Sequence, residues 1–283
     1  MIRALLVAAT LAGPLAADPM TDADCAASWR MFADWVARNQ RGPAFLADKV
    51  RSDLMAARLR TTPEGWCRVR GDDPALDDTL MTTLDWQFDG ADLTQADGGV
   101  PTGLRVRARE VVNRPRGLLF DVSLDLSRVT GERQLVVERV EIDAGEDGRV
   151  LVTGLVDGAL WDSWSMAAMS IGSLRLKSLI VTADLTPDFW DELMGVGWSA
   201  PLTALASAFA AMDADSGNAV ALRDLAAALP DPSGTLTALY RSTSGLGVLQ
   251  MSAAMVAHSR DGLDAALPLA LANAELELRW SGE

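Results

Sequence analysis

The sequence predicts an α+β protein built on a curved antiparallel β-sheet, open or half-barrel, with an N-terminal helical cap and C-terminal helices. The clearest observation is the segment 118–127, where apolar side chains alternate with polar ones, as in a strand with one face in the core and one in water. Similar segments follow one another with short turns between them, which favours antiparallel pairing. Before and after them, apolar residues recur every three or four positions, as they do in helices.

These changes of period divide the chain into four segments. They are a signal peptide at 1–17, a helical cap at 18–70, an antiparallel sheet region at 71–186 and a C-terminal α+β segment at 187–283. A chain of 283 residues with 49% hydrophobic residues can bury a large core. Its formal net charge of -14 opposes binding to nucleic acid, which requires a basic surface, and opposes broad electrostatic attachment to anionic membranes.

The N-terminus has the layout of a secretory signal peptide. A short positive start at 1–3 precedes an apolar run, and small residues lead to a cleavage site near Ala17. The apolar run is shorter than the roughly 20 residues that a spanning helix needs, and no later segment is long and apolar enough. We therefore expect a periplasmic, soluble protein whose mature chain has no transmembrane segment.

The two cysteines, Cys25 and Cys67, are expected to form a disulfide, because exported proteins fold in an oxidising compartment. Such a bridge would tie the helical cap to the first predicted strand, 66–70. A redox or metal site is the alternative, but the chain has no CxxC motif, and His258, the only histidine, has no cysteine near it in sequence.

Two helices are predicted between the cysteines. The first begins after Thr21 or Asp22, either of which can serve as its N-cap, and carries aromatic residues at helical spacing. The second follows Gly42-Pro43 and extends towards Leu59. The aromatic stripe of the first helix packs on the sheet or, alternatively, lines a ligand groove.

The sheet region begins with a strand at 80–89, and a predicted hairpin follows it. One register of the strands 104–109 and 118–127 satisfies both faces of this hairpin. It matches Val106 with Leu124 on the apolar face, and on the polar face it matches the two charge pairs Arg105–Asp125 and Arg109–Asp121.

Each face of this region offers a candidate site. The arginine row Arg105, Arg107 and Arg109 is a cradle for phosphate or carboxylate groups, or else a set of exposed ion pairs worth at most about 1 kcal/mol each. The apolar face is a ligand wall or simply core. Its candidate residues are Trp86, Phe88, Phe120 and Val122.

The rest of the chain continues this pattern. We expect strands at 134–143, 149–156 and 171–185, helices at 187–194, 201–212, 219–229 and 263–271, a second hairpin formed by 235–241 and 246–253, and a last strand at 274–280. Asp213, Asp215 and Asp224 have a spacing related to that of a calcium loop. The fifth and sixth loop positions depart from the motif, and acidic residues before a helix are also good N-caps.

No motif of a known catalytic or cofactor site is present, whether nucleophile elbow, zinc-binding HExxH, phosphate-binding loop or dinucleotide fingerprint. We therefore expect no cofactor. His258 is the only near-neutral acid or base, and it lies in a polar stretch that we expect to be a solvated loop. An exported hydrolase using His258 or a pair of carboxylates stays open.

The export signal, the strand-plus-helix endings and long amphipathic strands such as 174–181 resemble the AsmA-like envelope proteins of Gram-negative bacteria. We expect the chain to differ from them in lacking an N-terminal membrane anchor. The resemblance implies a lipid-handling or scaffold role. Our leading hypothesis is an exported non-catalytic envelope protein that binds an apolar, lipid-like ligand or a protein partner through a sheet face. The alternatives are the hydrolase and a purely structural interaction protein.

Overall fold

A computed structural model describes residues 19–39, 44–71, 81–90, 100–112, 117–129, 131–161, 163, 166, 169–194, 197–213 and 216–282. Its centre is one antiparallel sheet of ten strands, in which every strand pairs with its neighbours in chain order and the two end strands do not meet. This confirms the predicted α+β architecture with a curved open sheet. The predicted signal peptide lies outside the described residues.

The strands and helices alternate in blocks along the chain. The strands are β1 (Arg60–Thr61), β2 (Cys67–Arg70), β3 (Thr83–Asp89), β4 (Gly103–Val112), β5 (Leu119–Arg128), β6 (Gln134–Asp143), β7 (Arg149–Asp157), β8 (Arg175–Leu185), β9 (Gly234–Gly247) and β10 (Ala274–Gly282). The described helices are α1 (Asp22–Asn39), α2 (Ala44–Met55), α3 (Pro187–Met194), α4 (Ser199–Met212), α5 (Gly217–Ala228), α6 (Val248–Asp261) and α7 (Leu263–Ala270). The sheet extends beyond the 71–186 segment at both ends, since β1, β2, β9 and β10 join it.

The predicted register of the β4–β5 hairpin is confirmed over most of its length, with Val106 opposite Leu124 and Arg105 opposite Asp125. At the predicted pair Arg109–Asp121 the structure instead has a β-bulge between Ala108 and Val111, so that Arg109 and Glu110 together lie opposite Asp121. At the bulge, Glu110 has a φ of 51° and donates its backbone N–H to Asp121 Oδ1 at 3.0 Å. The Asp121 carboxylate therefore satisfies a backbone donor that the bulge leaves without a ladder partner.

Two further strand predictions need correction. The segment 246–253 does not form a second hairpin strand, because β9 continues to Gly247 and α6 begins at Val248. Its short apolar run fits either period, and the alanines and methionines that follow favour the helix. The strand predicted at 171–185 begins only at Arg175, after a 3₁₀ turn at Ser170–Ser173. There Ser173 Oγ donates to the carbonyl of Gly158 at 2.7 Å.

The first buried core joins α1 to β2 and β3. Trp29 stacks on Trp86 with ring centroids 5.3 Å apart, and Trp86 Nε1 donates to Ser28 Oγ at 2.9 Å. The predicted disulfide is confirmed: Cys25 and Cys67 are bonded, their Cα atoms lie 5.3 Å apart, and both are fully buried. The bridge therefore fastens the helical cap onto the sheet.

Two other cores lie on the same face of the sheet. In the second, Phe189 of α3 meets Phe120 of β5 edge to face, with centroids 5.9 Å apart. In the third, α4 and α5 pack together and contact Leu276 and Leu278 of β10. All three cores thus use the face that carries Trp86, which we call the inner face.

None of the described helices is by itself long and apolar enough to cross a membrane. Only α3 and α4 taken together reach that length and apolar character, and they are bent by 89° relative to each other.

Candidate functional site

The centre of the inner face carries apolar side chains that lie outside the three cores formed by the described helices. One row of residues runs across the paired strands β4 to β8 and a second runs across β5 to β8. We call these residues the central strip: Leu104, Leu124, Leu126, Val137, Val140, Val152, Gly154, Leu179 and Val181. All of them are half-buried, and none packs against the three cores. Since adjacent strands lie about 4.8 Å apart, five strands give this strip a length of roughly 20 Å.

Gly154 lies in the middle of the central strip, where β7 and β8 approach each other closely. A Cβ at this position would lie 2.8 Å from the backbone oxygen of Ser178, which is closer than real Cβ atoms approach. The close approach of β7 and β8 therefore excludes a side chain here. In its row, the Leu179 side chain lies beside Gly154, since Leu179 Cδ1 would be 3.4 Å from the added Cβ.

Three borders of the central strip are closed by the cores. The α1 core covers one end, at Trp86, and the α5 core covers the other end, at β10. The α3 core covers the edge of the sheet near Phe120. The strip therefore lies at the bottom of a trough with helices on three sides.

The fourth border contains an apolar cavity of about 190 Å³. Leu104 and Leu126 of the strip line it, together with Phe88, Leu135 and Trp161. The indole nitrogen of Trp161 is buried and has no hydrogen-bond partner among the described residues. A cavity of this character accepts an apolar group, and one polar atom of a ligand would satisfy the indole N–H.

A second unsatisfied polar group lies at the far end of the strip. Tyr240 of β9 is opposite Leu179 on one side and Leu276 on the other, so that its side chain shares the inner face. It is 7% exposed, and its hydroxyl has no partner in the part of the chain that the structure describes. Burying a hydroxyl without a hydrogen bond costs about 1–3 kcal/mol.

The predicted arginine row lies on the opposite, outer face of the sheet. Arg105 forms an ion pair with Asp89 at 2.9 Å, and the guanidinium of Arg107 lies 4.3 Å above the ring of Trp66. Arg109 lines a polar cavity of about 240 Å³ with Arg107 and Asp121. Because the sheet separates the two faces, the arginines and the central strip cannot contact the same small ligand.

Other charges on the outer face form compact pairs. Asp85, which is buried, accepts two hydrogen bonds from Arg68, at 2.6 and 2.7 Å. These bonds raise the pKa of Arg68 although burial opposes the change. Glu141, also buried, accepts from Arg139 at 3.1 Å and from Arg149. These contacts neutralise buried carboxylates, which is a structural role.

The four aromatic and apolar candidates divide into two kinds. Trp86 and Phe120 are 6% and 4% exposed and are fully enclosed in the first and second cores. Phe88 and Val122 are half-buried, and only Phe88 lines the apolar cavity. The sequence reasoning missed the central strip itself. Its signal is the alternation within β5 to β8, which becomes a continuous surface only when their registers are combined.

The remaining candidates do not form a site among the described residues. Asp215 lies outside them, Asp224 is exposed on α5, and no group of three possible metal-ligating acidic, cysteine or histidine side chains occurs in the described ranges. His258 lies on α6 and not in a loop, but it is exposed as expected. The hydroxyl of its neighbour Ser259 donates a hydrogen bond to the carbonyl of Val256 at 2.8 Å.

Comparison of the chain with models of protein families, with curated proteins and with solved structures finds no match. What can be said of function therefore depends on the geometry of this chain.

Proposed function

We propose that the protein is exported and binds an apolar, chain-like ligand along the central strip, without catalysing a reaction. The observation that carries the proposal is the continuous apolar surface of roughly 20 Å that lies between three packed cores and belongs to none of them. A helix or sheet ordinarily buries such a face against another element of the same chain. A lipid-like acyl chain has the shape and the chemistry to cover it.

The distribution of polar groups supports a ligand that is mostly apolar. Along the strip every position is Leu, Val or Gly, so the floor offers no hydrogen bond to a polar ligand. The unsatisfied groups lie at its margins, with Trp161 Nε1 at the fourth border and the Tyr240 hydroxyl at the β9 end. This arrangement suits a long apolar body with a polar atom at an end.

The location of the protein is part of the proposal. The Cys25–Cys67 disulfide is compatible with an exported protein. With the signal-peptide pattern at 1–17, it favours the periplasm, and the resemblance to AsmA-like envelope proteins favours a lipid-like ligand. A hydrolase based on His258 has no comparable support, because that side chain is exposed and makes no hydrogen bond with a described residue.

Binding can be tested with cis-parinaric acid, a fatty acid whose fluorescence rises in apolar surroundings. Val152→Asn places an amide in the middle of the strip, and Thr153→Asn is the matched control, since Thr153 is also half-buried but is next along β7 and faces outward. Burying the amide against the acyl chain should weaken binding by on the order of tenfold, whereas the control should bind like the unchanged protein.

Native mass spectrometry of the protein purified from the periplasm gives an independent measurement. A bound species that organic solvent extracts, and that Val152→Asn reduces, would support the proposal. If the unchanged protein is free of ligand and does not bind cis-parinaric acid, the proposal is wrong. The strip would then have to be covered by a protein partner.

A further inference from the structure

One charged residue occupies an apolar position of the inner face. The residues that β5 places on this face are Phe120, Val122, Leu124, Leu126 and Arg128. Arg128 is opposite Leu135 of β6 and Leu135 is opposite Val156 of β7, so that the three form the row next to the central strip. In β5, β6 and β7, which the structure describes completely, Arg128 is the only charged residue of the inner face.

The Arg128 guanidinium is held in place by two backbone oxygens. Its Nε donates to the carbonyl of Pro101 at 3.0 Å, and its Nη2 donates to the carbonyl of Val100 at 2.9 Å. All three residues line the apolar cavity at the fourth border. Both acceptors are neutral, and a guanidinium has five N–H donors. The two bonds therefore orient the side chain without compensating its charge, and they leave donors for a further acceptor.

The acidic residues of the surrounding strands and turn do not neutralise Arg128. Asp89 and Glu138 bond to residues of the outer face, on the other side of the sheet. Asp157 of β7 also faces outward, and its carboxylate accepts the backbone N–H of the next residue. Glu132, in the turn after β5, is exposed. No described acidic residue forms an ion pair with Arg128, and a half-buried charge without a counter-charge costs free energy.

A second free donor borders the same cavity. Trp161 lines it together with Arg128, and the buried indole Nε1 has no hydrogen-bond partner among the described residues. One charged and one neutral donor thus flank a single apolar space of about 190 Å³. The oxygens of a carboxylate or phosphate are the acceptors that a guanidinium binds most strongly. A neutral ligand oxygen would satisfy the indole but would leave the charge of Arg128 uncompensated.

We propose that the apolar ligand of the central strip carries an acidic head group, a carboxylate or a phosphate, which Arg128 and Trp161 hold at the fourth border. The inference rests on the proposed function and adds the chemical class and the direction of the ligand. The head lies next to β5, and the apolar body extends over the strip towards β8. Tyr240, beyond that far end, offers a hydroxyl but no charge, so that an anionic head binds better at Arg128.

The inference is tested with cis-parinaric acid and its methyl ester, which have the same chain and differ in the charge of the head group. The unchanged protein should bind the acid on the order of tenfold more tightly than the ester. Arg128→Gln should remove this preference, and Arg128→Lys, which keeps the charge, should retain part of it. If Arg128 only supported the cavity wall, Arg128→Gln would weaken both ligands equally and leave their ratio unchanged.

Arg133→Gln is the matched control, because it removes the same charge from the turn after β5, where the Arg133 side chain is exposed. It should keep the preference for the acid. Equal losses of preference in Arg128→Gln and Arg133→Gln would overturn the inference, since they would reflect the general field of the protein and not a contact with the head group.

Equal affinity of the unchanged protein for the acid and the ester would also overturn the inference, but Val152→Asn would then still weaken both ligands and the proposed function would stand. Binding of neither ligand would overturn both. Competition by palmitate and by lysophosphatidylglycerol, each with one acyl chain and one negative charge, distinguishes the two head groups. Stronger displacement of cis-parinaric acid by palmitate would assign a carboxylate, and stronger displacement by lysophosphatidylglycerol would assign a phosphate.

Discussion

Removing the Cys25–Cys67 bridge should destabilise the helical cap by a predictable amount. The bridged residues are 42 positions apart, and cross-linking a loop of this length removes about 4 kcal/mol of chain entropy from the unfolded state. The double variant Cys25→Ala, Cys67→Ala avoids placing hydroxyls in the core, where both sulfurs are buried. We therefore expect it to lose about 3–5 kcal/mol of unfolding free energy.

Urea unfolding followed by tryptophan fluorescence measures this loss, because Trp29 and Trp86 stack in the core that contains the bridge. The midpoint should fall by more than about 1 M urea. The single variant Cys67→Ala is the control, since it breaks the same cross-link and should lose nearly as much. Equal midpoints for the oxidised protein and the double variant would refute the reasoning, provided that the intact mass shows the bridge in the former.

Two substitutions in the same region test individual contacts. Trp86→Phe removes the hydrogen bond to Ser28 Oγ and part of a buried ring, and should cost about 1–2 kcal/mol in urea unfolding. A cost below measurement error would contradict this assignment, because neither the hydrogen bond nor the buried ring would then contribute to stability. Asp85→Asn weakens the two bonds from Arg68 and should cost about 1–2 kcal/mol. This loss should be the same at neutral and mildly alkaline pH: the raised pKa of Arg68 means that its contribution disappears only in strongly alkaline solution. A loss that changes between these two pH values would contradict that explanation.

Much of the sheet was predictable because the alternation of apolar and polar side chains along the chain indicates a strand. The strand β6 has the predicted bounds, and the β4–β5 register followed from matching both faces of a hairpin. The bulge at Glu110 was not predictable from that matching, because one extra residue changes the pairing without changing the alternation on either side of it. The start of α6 was missed because a short apolar run fits both periods.

The candidate site was predictable only in part. That one sheet face is apolar follows from the sequence, and so does the separation of Arg105 and Arg107 from it. The sequence does not show which apolar residues lie outside the helix cores. That depends on where helices from distant parts of the chain pack on the sheet. Trp86 and Phe120 were chosen for size, and α1 and α3 cover both of them.

By itself, the sequence determined the α+β class, the paired cysteines and the register of most of the central hairpin. These properties are set by residue type and by spacing along the chain. The tertiary structure alone decided that Val152 and its neighbours lie outside the three cores of the described helices and that Leu249 faces solvent. Burial is a non-local property, since the same apolar side chain becomes core or binding surface according to what packs on it.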